Sequence, residues 1–180
     1  MQAPTLRDIY RAKKTIAPHI PRTALHYSSG LSEMLSAEVY LKHEEHLPLG
    51  AFKGRGGINL LANLSDEEKK RGLITASSGN HGQSMASACK LFGVKAVIGL
   101  PEDANPNKVA AMRALGAELV FHGADFDAAR LHCERLAKEE GYRFVHPVND
   151  PLLIAGVGTQ ALETVEDLPD VEVLMLPLGG

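Results

Sequence analysis

Tryptophan is absent from the 180 residues, cysteine occurs twice, and aromatic residues make up only 5% of the chain. Two thiols, Cys89 and Cys133, each inside a predicted helix, argue against a disulfide framework and for buried thiols in a reducing, cytosolic setting. There is no basic excess: the formal charge is −3, so nucleic acid and acidic membrane surfaces are not expected as partners. No apolar run approaches the roughly 18–20 residues of a membrane span. The start, MQAPTLRDIYRAKK, lacks the apolar block of a signal peptide. Neither GxGxxG nor GxxxxGK[ST] occurs, which removes the usual signatures of a nucleotide-binding module. What remains is an ordinary apolar content of 44% and room for one domain, or one domain plus part of another.

The middle of the chain has a rhythm. GLITASS (72–78), VKAVIGL (94–100) and AELVFHG (117–123) are short β-prone apolar runs, and YRFVHP (142–147) is a weaker fourth. A helical stretch follows each of the first three. Met85, Cys89 and Phe92 form one stripe ending at Gly93. Asn105 and Pro106 open a second, with Val109, Met112 and Leu115 on one face and Gly116 at its end. Asp125 precedes the third, with Phe126, Ala129, Cys133 and Leu136 on one face and Gly141 closing it. Strand and helix alternating at a period of about 22 residues is the pattern of βαβ units around a parallel sheet. Such a sheet takes its ligands at the carboxyl ends of the strands. Outside this region, 5–17 reads as a helix, 18–28 as an extended Pro-punctuated segment, and 37–44 as a strand. Asn149 and Asp150 read as a turn and helix cap before Pro151. A helical stretch follows, and VEVLMLPLGG (171–180) reads as an apolar strand.

Two loops carry chemistry. GAFKGRGG (50–57) sets Lys53 among four glycines, which marks a turn or a place where a ligand approaches the backbone. Lys53 is either a solvated charge or a reactive amine, and a nucleophilic amine must be neutral, a form that desolvation favours. SSGNHG (77–82) lies where a strand turns into a helix, whose unpaired N–H groups suit a carboxylate or phosphate; a plain helix cap with turn glycines is the alternative. HEEH (43–46) lacks the i, i+4 histidine pair of a zinc-protease helix, so no metal is expected. Arg55 reads as a salt-bridge or capping residue opening the next helix.

GAFKGRGG followed 27 residues after its lysine by Asn80 in SSGNHG resembles the fold-type II family of pyridoxal-phosphate enzymes. Within that family the chain looks most like the threonine/serine dehydratase and serine racemase branch. LKHEEHLPLGAFKGRGG, LPEDANPNKVAAMRALGAELV, HPVNDPLLIAGVGTQALE and the terminal LPLGG each resemble a stretch of that branch, in order. The resemblance implies an α/β, tryptophan synthase β-like fold: a parallel-sheet βαβ small domain plus the first part of a second, larger α/β domain. Residues 1–55 and 149–180 would belong to the larger domain and 56–148 to the smaller. It implies pyridoxal 5'-phosphate as cofactor, with Lys53 as the Schiff-base lysine and Phe52 alongside the ring. Asn80 would bond the cofactor's phenolic oxygen, and Ser77, Ser78, Asn80 and His81 would receive the substrate carboxylate. Gly179 and Gly180 would begin the phosphate loop, and the glycines around Lys53 would keep side chains clear of the cofactor.

The implied activity is β-elimination of water from a hydroxy amino acid, giving a 2-oxo acid and ammonia. A serine or aspartate racemase is the alternative, because Ser78 stands where serine-racemase-like members carry a serine and many dehydratases an alanine. Ala51 and PLG (48–50) depart mildly from the family's usual loop. Family members continue past the glycine loop, so a non-catalytic, truncated fragment is a further reading. The complete protein is expected to be a homo-oligomer.

Overall fold

A capping box opens the first helix: Thr5 accepts from the Asp8 amide, and Asp8 Oδ2 accepts from the Thr5 amide at 2.8 Å. The computed structural model describes residues 3–177. Helix α1 (Leu6–Ile16) leads into β1 (Leu25–Tyr27), α2 (Ser29–Leu35) and β2 (Tyr40–Lys42). The two strands pair antiparallel, His26 opposite Leu41. Helix α2 was not expected; its Ser-rich start has no side-chain cap bond, and it leaves through Ser36 in the left-handed region at φ 50°. A 3-10 turn at Glu44–His46 then precedes α3 (Lys53–Ala62) and α4 (Asp66–Arg71).

The strand–helix rhythm follows in the expected order. It comprises β3 (Leu73–Ala76), α5 (Asn80–Phe92), β4 (Ala96–Leu100), α6 (Pro106–Ala114), β5 (Glu118–Phe121), α7 (Phe126–Glu140) and β6 (Arg143–Phe144). Helix α8 (Pro151–Asp167) comes last. The four strands form one parallel sheet in the order β5-β4-β3-β6. Its two central strands are buried on both faces, so they read as continuous apolar runs. Leu73, Ile98 and Leu100 pack with Met85 and Cys89 of α5 and Met112 of α6. The alternate residues Ile74, Ala76 and Val97 pack with Cys133 and Ala137 of α7 on the other face. The two thiols are therefore buried and free in different clusters, and burial pushes Cys89 up to about 12 and Cys133 up to about 11. Phe126 departs from its expected stripe: at the first turn of α7 it is exposed.

The glycines around Lys53 correct the sequence reading. Only Gly50 has a positive φ, 62°, and makes a turn; Gly54, Gly56 and Gly57 lie inside α3. A Cβ on Gly56 would meet Leu153 O of α8 at 2.9 Å, and one on Gly57 would meet Ser84 Oγ of α5 at 2.5 Å. On the facing helix, a Cβ on Gly156 would meet Arg55 O at 2.6 Å and Gly56 Cα at 2.8 Å. These glycines let α3 lie against α5 and α8 at backbone distance. Helix contact, not room for a cofactor, explains Gly56 and Gly57.

The expected strand at 171–180 is also corrected. Residues 171–177 run without helix or strand, and no described strand pairs with them. An extended apolar segment becomes a strand only where a neighbour supplies the ladder bonds, and Val173, Met175 and Leu176 stay exposed. Gly179 and Gly180 lie outside the described residues. Among the described residues no helix is long and apolar enough to cross a membrane.

Candidate active site

Lys53 is the first residue of α3, and Asn80 is the first of α5. Neither helix start is closed by a side-chain cap, whereas α1, α4, α6, α7 and α8 all are. The first N–H groups of a helix have no intrahelical acceptor, and the dipole there favours an anion. Both uncapped starts open on one cleft of about 1210 Å³. Phe52, Lys53, Ser77, Ser78, Asn80 and His81 all line it, so the sequence candidates that fall within the described residues come together. Leu174 and Met175, from the segment after α8, line it too.

The half-buried Lys53 amine lies 5.3 Å from the Phe52 ring centroid, and no carboxylate pairs with it among the described residues. Its backbone is pinned from across the helix contact: Ser84 Oγ donates to Lys53 O at 2.6 Å. Ser84 lies one turn after Asn80, the signal that would have marked it in the sequence. Lys108 Nζ donates to Asn80 Oδ1 at 3.2 Å, which turns the Asn80 amide nitrogen away from Lys108 with both its protons unclaimed by that lysine. Ser77 Oγ accepts from the Gly79 amide at 3.2 Å and keeps its own proton to donate. Ser78 is exposed on the cleft.

Behind the loop sits a buried polar chain that sequence reasoning missed. Thr75 Oγ1 donates to Val145 O at 2.7 Å and lies 3.0 Å from His81 Nε2. A hydroxyl inside the apolar run LITA was the available signal. Burial, then the charges of Lys53 and His146, push His81 down to about 4.

Arg55 is fully buried and bonded on every side. Glu44 accepts from its Nε at 2.7 Å, Glu163 from a terminal nitrogen at 2.7 Å, and Thr159 Oγ1 from the same nitrogen at 3.1 Å. Lys42 adds a second cation at 2.7 Å from Glu163. Burial alone would push the Glu163 carboxyl up; the Arg55 and Lys42 bonds outweigh it and hold it below the ordinary range. The expected salt-bridge reading of Arg55 stands, with partners on the 3-10 turn and on α8. Glu45 lines the cleft, where its Oε1 pairs with His43 Nδ1, and the His43 and His46 rings stack. These three side chains converge within 4.8 Å, a grouping the HEEH spacing had not suggested.

A family model described as "Pyridoxal-phosphate dependent enzyme" matches residues 16–180. The chain belongs to the pyridoxal-phosphate dependent enzyme family. It is 48% identical to an L-threonine ammonia-lyase of Thermotoga maritima over 176 residues, which is 98% of this chain and 44% of that protein. Among solved structures it resembles maize serine racemase, with a TM-score of 0.89 at 33% identity over 94% of this chain and 51% of that one. A threonine deaminase of the organism abbreviated T.th. gives a TM-score of 0.84 at 40% identity, over 92% of this chain and 52% of that one. These likenesses identify the fold as that of the fold-type II members of the pyridoxal-phosphate family. The chain spans about half the length of the curated relatives it matches.

The donor set suits that family's cofactor. The cleft offers an amine without a carboxylate partner among the described residues, an aromatic face beside it, an amide nitrogen, and uncapped N–H groups for an anion.

Proposed function

We propose that this chain carries the amine and the carboxylate-binding loop of a threonine/serine ammonia-lyase. The reaction is loss of water from a hydroxy amino acid to give a 2-oxo acid and ammonia. The observation that carries the reading is the Lys53 amine, unpaired among the described residues, in one cleft with SSGNHG at the start of α5. Pyridoxal phosphate, when bound, supplies the electron sink that makes the Cα proton removable. Lys53 Nζ holds it, and as a free amine takes the Cα proton. Phe52 would flank its ring, and the Asn80 amide nitrogen would donate to an anionic oxygen. Ser77, Ser78, Asn80 and His81, with the first N–H groups of α5, orient the substrate carboxylate.

Similarity to a protein named as an L-threonine ammonia-lyase favours the lyase over other family chemistries. The second reading is racemisation, favoured by the exposed Ser78 hydroxyl on the same cleft and by the likeness to serine racemase. We further take residues 1–55 and 149–180 as parts of a larger domain and 56–148 as the smaller one. We take the protein to be cytosolic, with which its two buried free thiols accord, and the complete protein to be a homo-oligomer acting on a small amino acid.

The test is to treat the chain with pyridoxal phosphate, reduce with borohydride, and map the modified peptide. A pyridoxyl group on Lys53 is expected. Modification of another lysine with Lys53 untouched would overturn the assignment. Ammonia release from L-threonine and L-serine, set against D-serine formation, separates lyase from racemase.

A further inference from the structure

Thr75 and His81 are both buried, at 2% and 6% exposure, and the Thr75 hydroxyl has two neighbours but one proton. Val145 O, at 2.7 Å, can only accept, so the hydroxyl proton lies on that bond. Thr75 Oγ1 must therefore accept from His81, and the imidazole proton sits on Nε2. We propose that Thr75 is a positioning residue that holds His81 as the neutral Nε2–H tautomer, leaving its ring with a bare Nδ1 acceptor and no second proton to donate. The consequence for the cleft rests on the amino-acid reading above. His81 then serves a substrate carboxylate through its main-chain N–H in the first turn of α5. The side-chain donors are left to Ser77, Ser78 and Asn80.

The surroundings agree. The groups that reach the ring electrostatically are Lys53 from the start of α3 and His146 from the segment after β6, and positive charge on either opposes an imidazolium. A neutral ring also avoids a buried cation on the cleft that holds the amine the proposed reaction uses as a base.

The experiment is nitrogen NMR of the full chain with 15N-labelled histidine, the His81 signals being assigned by their loss in His81→Gln. In the native chain, Nδ1 is expected at the unprotonated position and Nε2 at the protonated one, unchanged from pH 7 to pH 5. Thr75→Val keeps the shape and removes the acceptor, so the tautomers should mix. Thr75→Ser should restore the native pattern. An Nδ1–H or mixed tautomer in the native chain, or a Thr75→Val spectrum identical to it, overturns the proposal. If Thr75→Val does not fold, the native and Thr75→Ser spectra still decide. None of these readouts needs cofactor, so a failure of borohydride labelling at Lys53 would remove the proposed function and leave the tautomer standing.

Discussion

At the scale of single residues, His81 links the site to acid stability. Its ring titrates near 6.5 when the chain is unfolded and at about 4 in the fold, chiefly because it is buried. Above 6.5 neither state takes the proton and the fold has its full stability. As pH falls from 6.5 to 4, the unfolded chain binds a proton that the folded one refuses. The fold therefore loses stability progressively, by roughly 3 kcal/mol at pH 4, and this contribution then levels off. Urea unfolding of the native chain and His81→Gln between pH 8 and 4 should show the native chain losing more over that window; parallel curves would contradict it. In the sequence His81 was legible as part of SSGNHG, because a strand end meeting a helix start is a local pattern. Its partner was not. Thr75 matters only because β3 sets it under the loop and the segment after β6 brings up the Val145 carbonyl, 70 residues along the chain.

At the scale of elements, apolar runs and their caps revealed the sheet and the helices that cover it, since burial on both faces and capping chemistry are written locally. Glycine was misleading. In GAFKGRGG it suggested a turn, yet three of the glycines lie in α3, and at two of them, Gly56 and Gly57, a long-range crossing with α8 and α5 leaves no space for a Cβ. The two explanations predict different mutants. Gly57→Ala should destabilise by about 1–3 kcal/mol, as overpacking a tight contact does, because its Cβ meets Ser84 O, a backbone atom, at 2.9 Å. Gly30→Ala in α2, with nothing within 4 Å of its Cβ, should be neutral or stabilising by about 0.5–1 kcal/mol. Thermal unfolding of the two variants compares them directly, and equal effects would count against helix contact. The segment 171–177 shows the opposite limit. Its apolar character was legible, but strand formation depends on a neighbour that no local pattern supplies.

At the scale of the molecule, the site depends on how three distant pieces of chain are held together, and Arg55 holds them. It lies two residues after Lys53 on α3 and binds Glu44 on the turn after β2, Glu163 and Thr159 on α8, and Thr23 ahead of β1. A charge this deeply buried is not a source of stability by comparison with apolar packing, because desolvation offsets most of the attraction. Its effect is conditional: each partner makes the others tolerable. Arg55→Met should thus destabilise by about 3–5 kcal/mol, since it leaves the buried Glu163 and the partly buried Glu44 with only Lys42 and Thr23 to answer them. Adding Glu44→Gln and Glu163→Gln to Arg55→Met removes the stranded charges and should recover much of that loss. Urea unfolding of the single and triple variants is the measurement. If the triple variant is no more stable than Arg55→Met, the loss comes from packing around the guanidinium rather than from uncompensated carboxylates, and the conditional account fails. If stability returns while Lys53 no longer accepts the pyridoxyl label, the network's role is to set the start of α3 against the cleft, which is the role its position beside Lys53 implies.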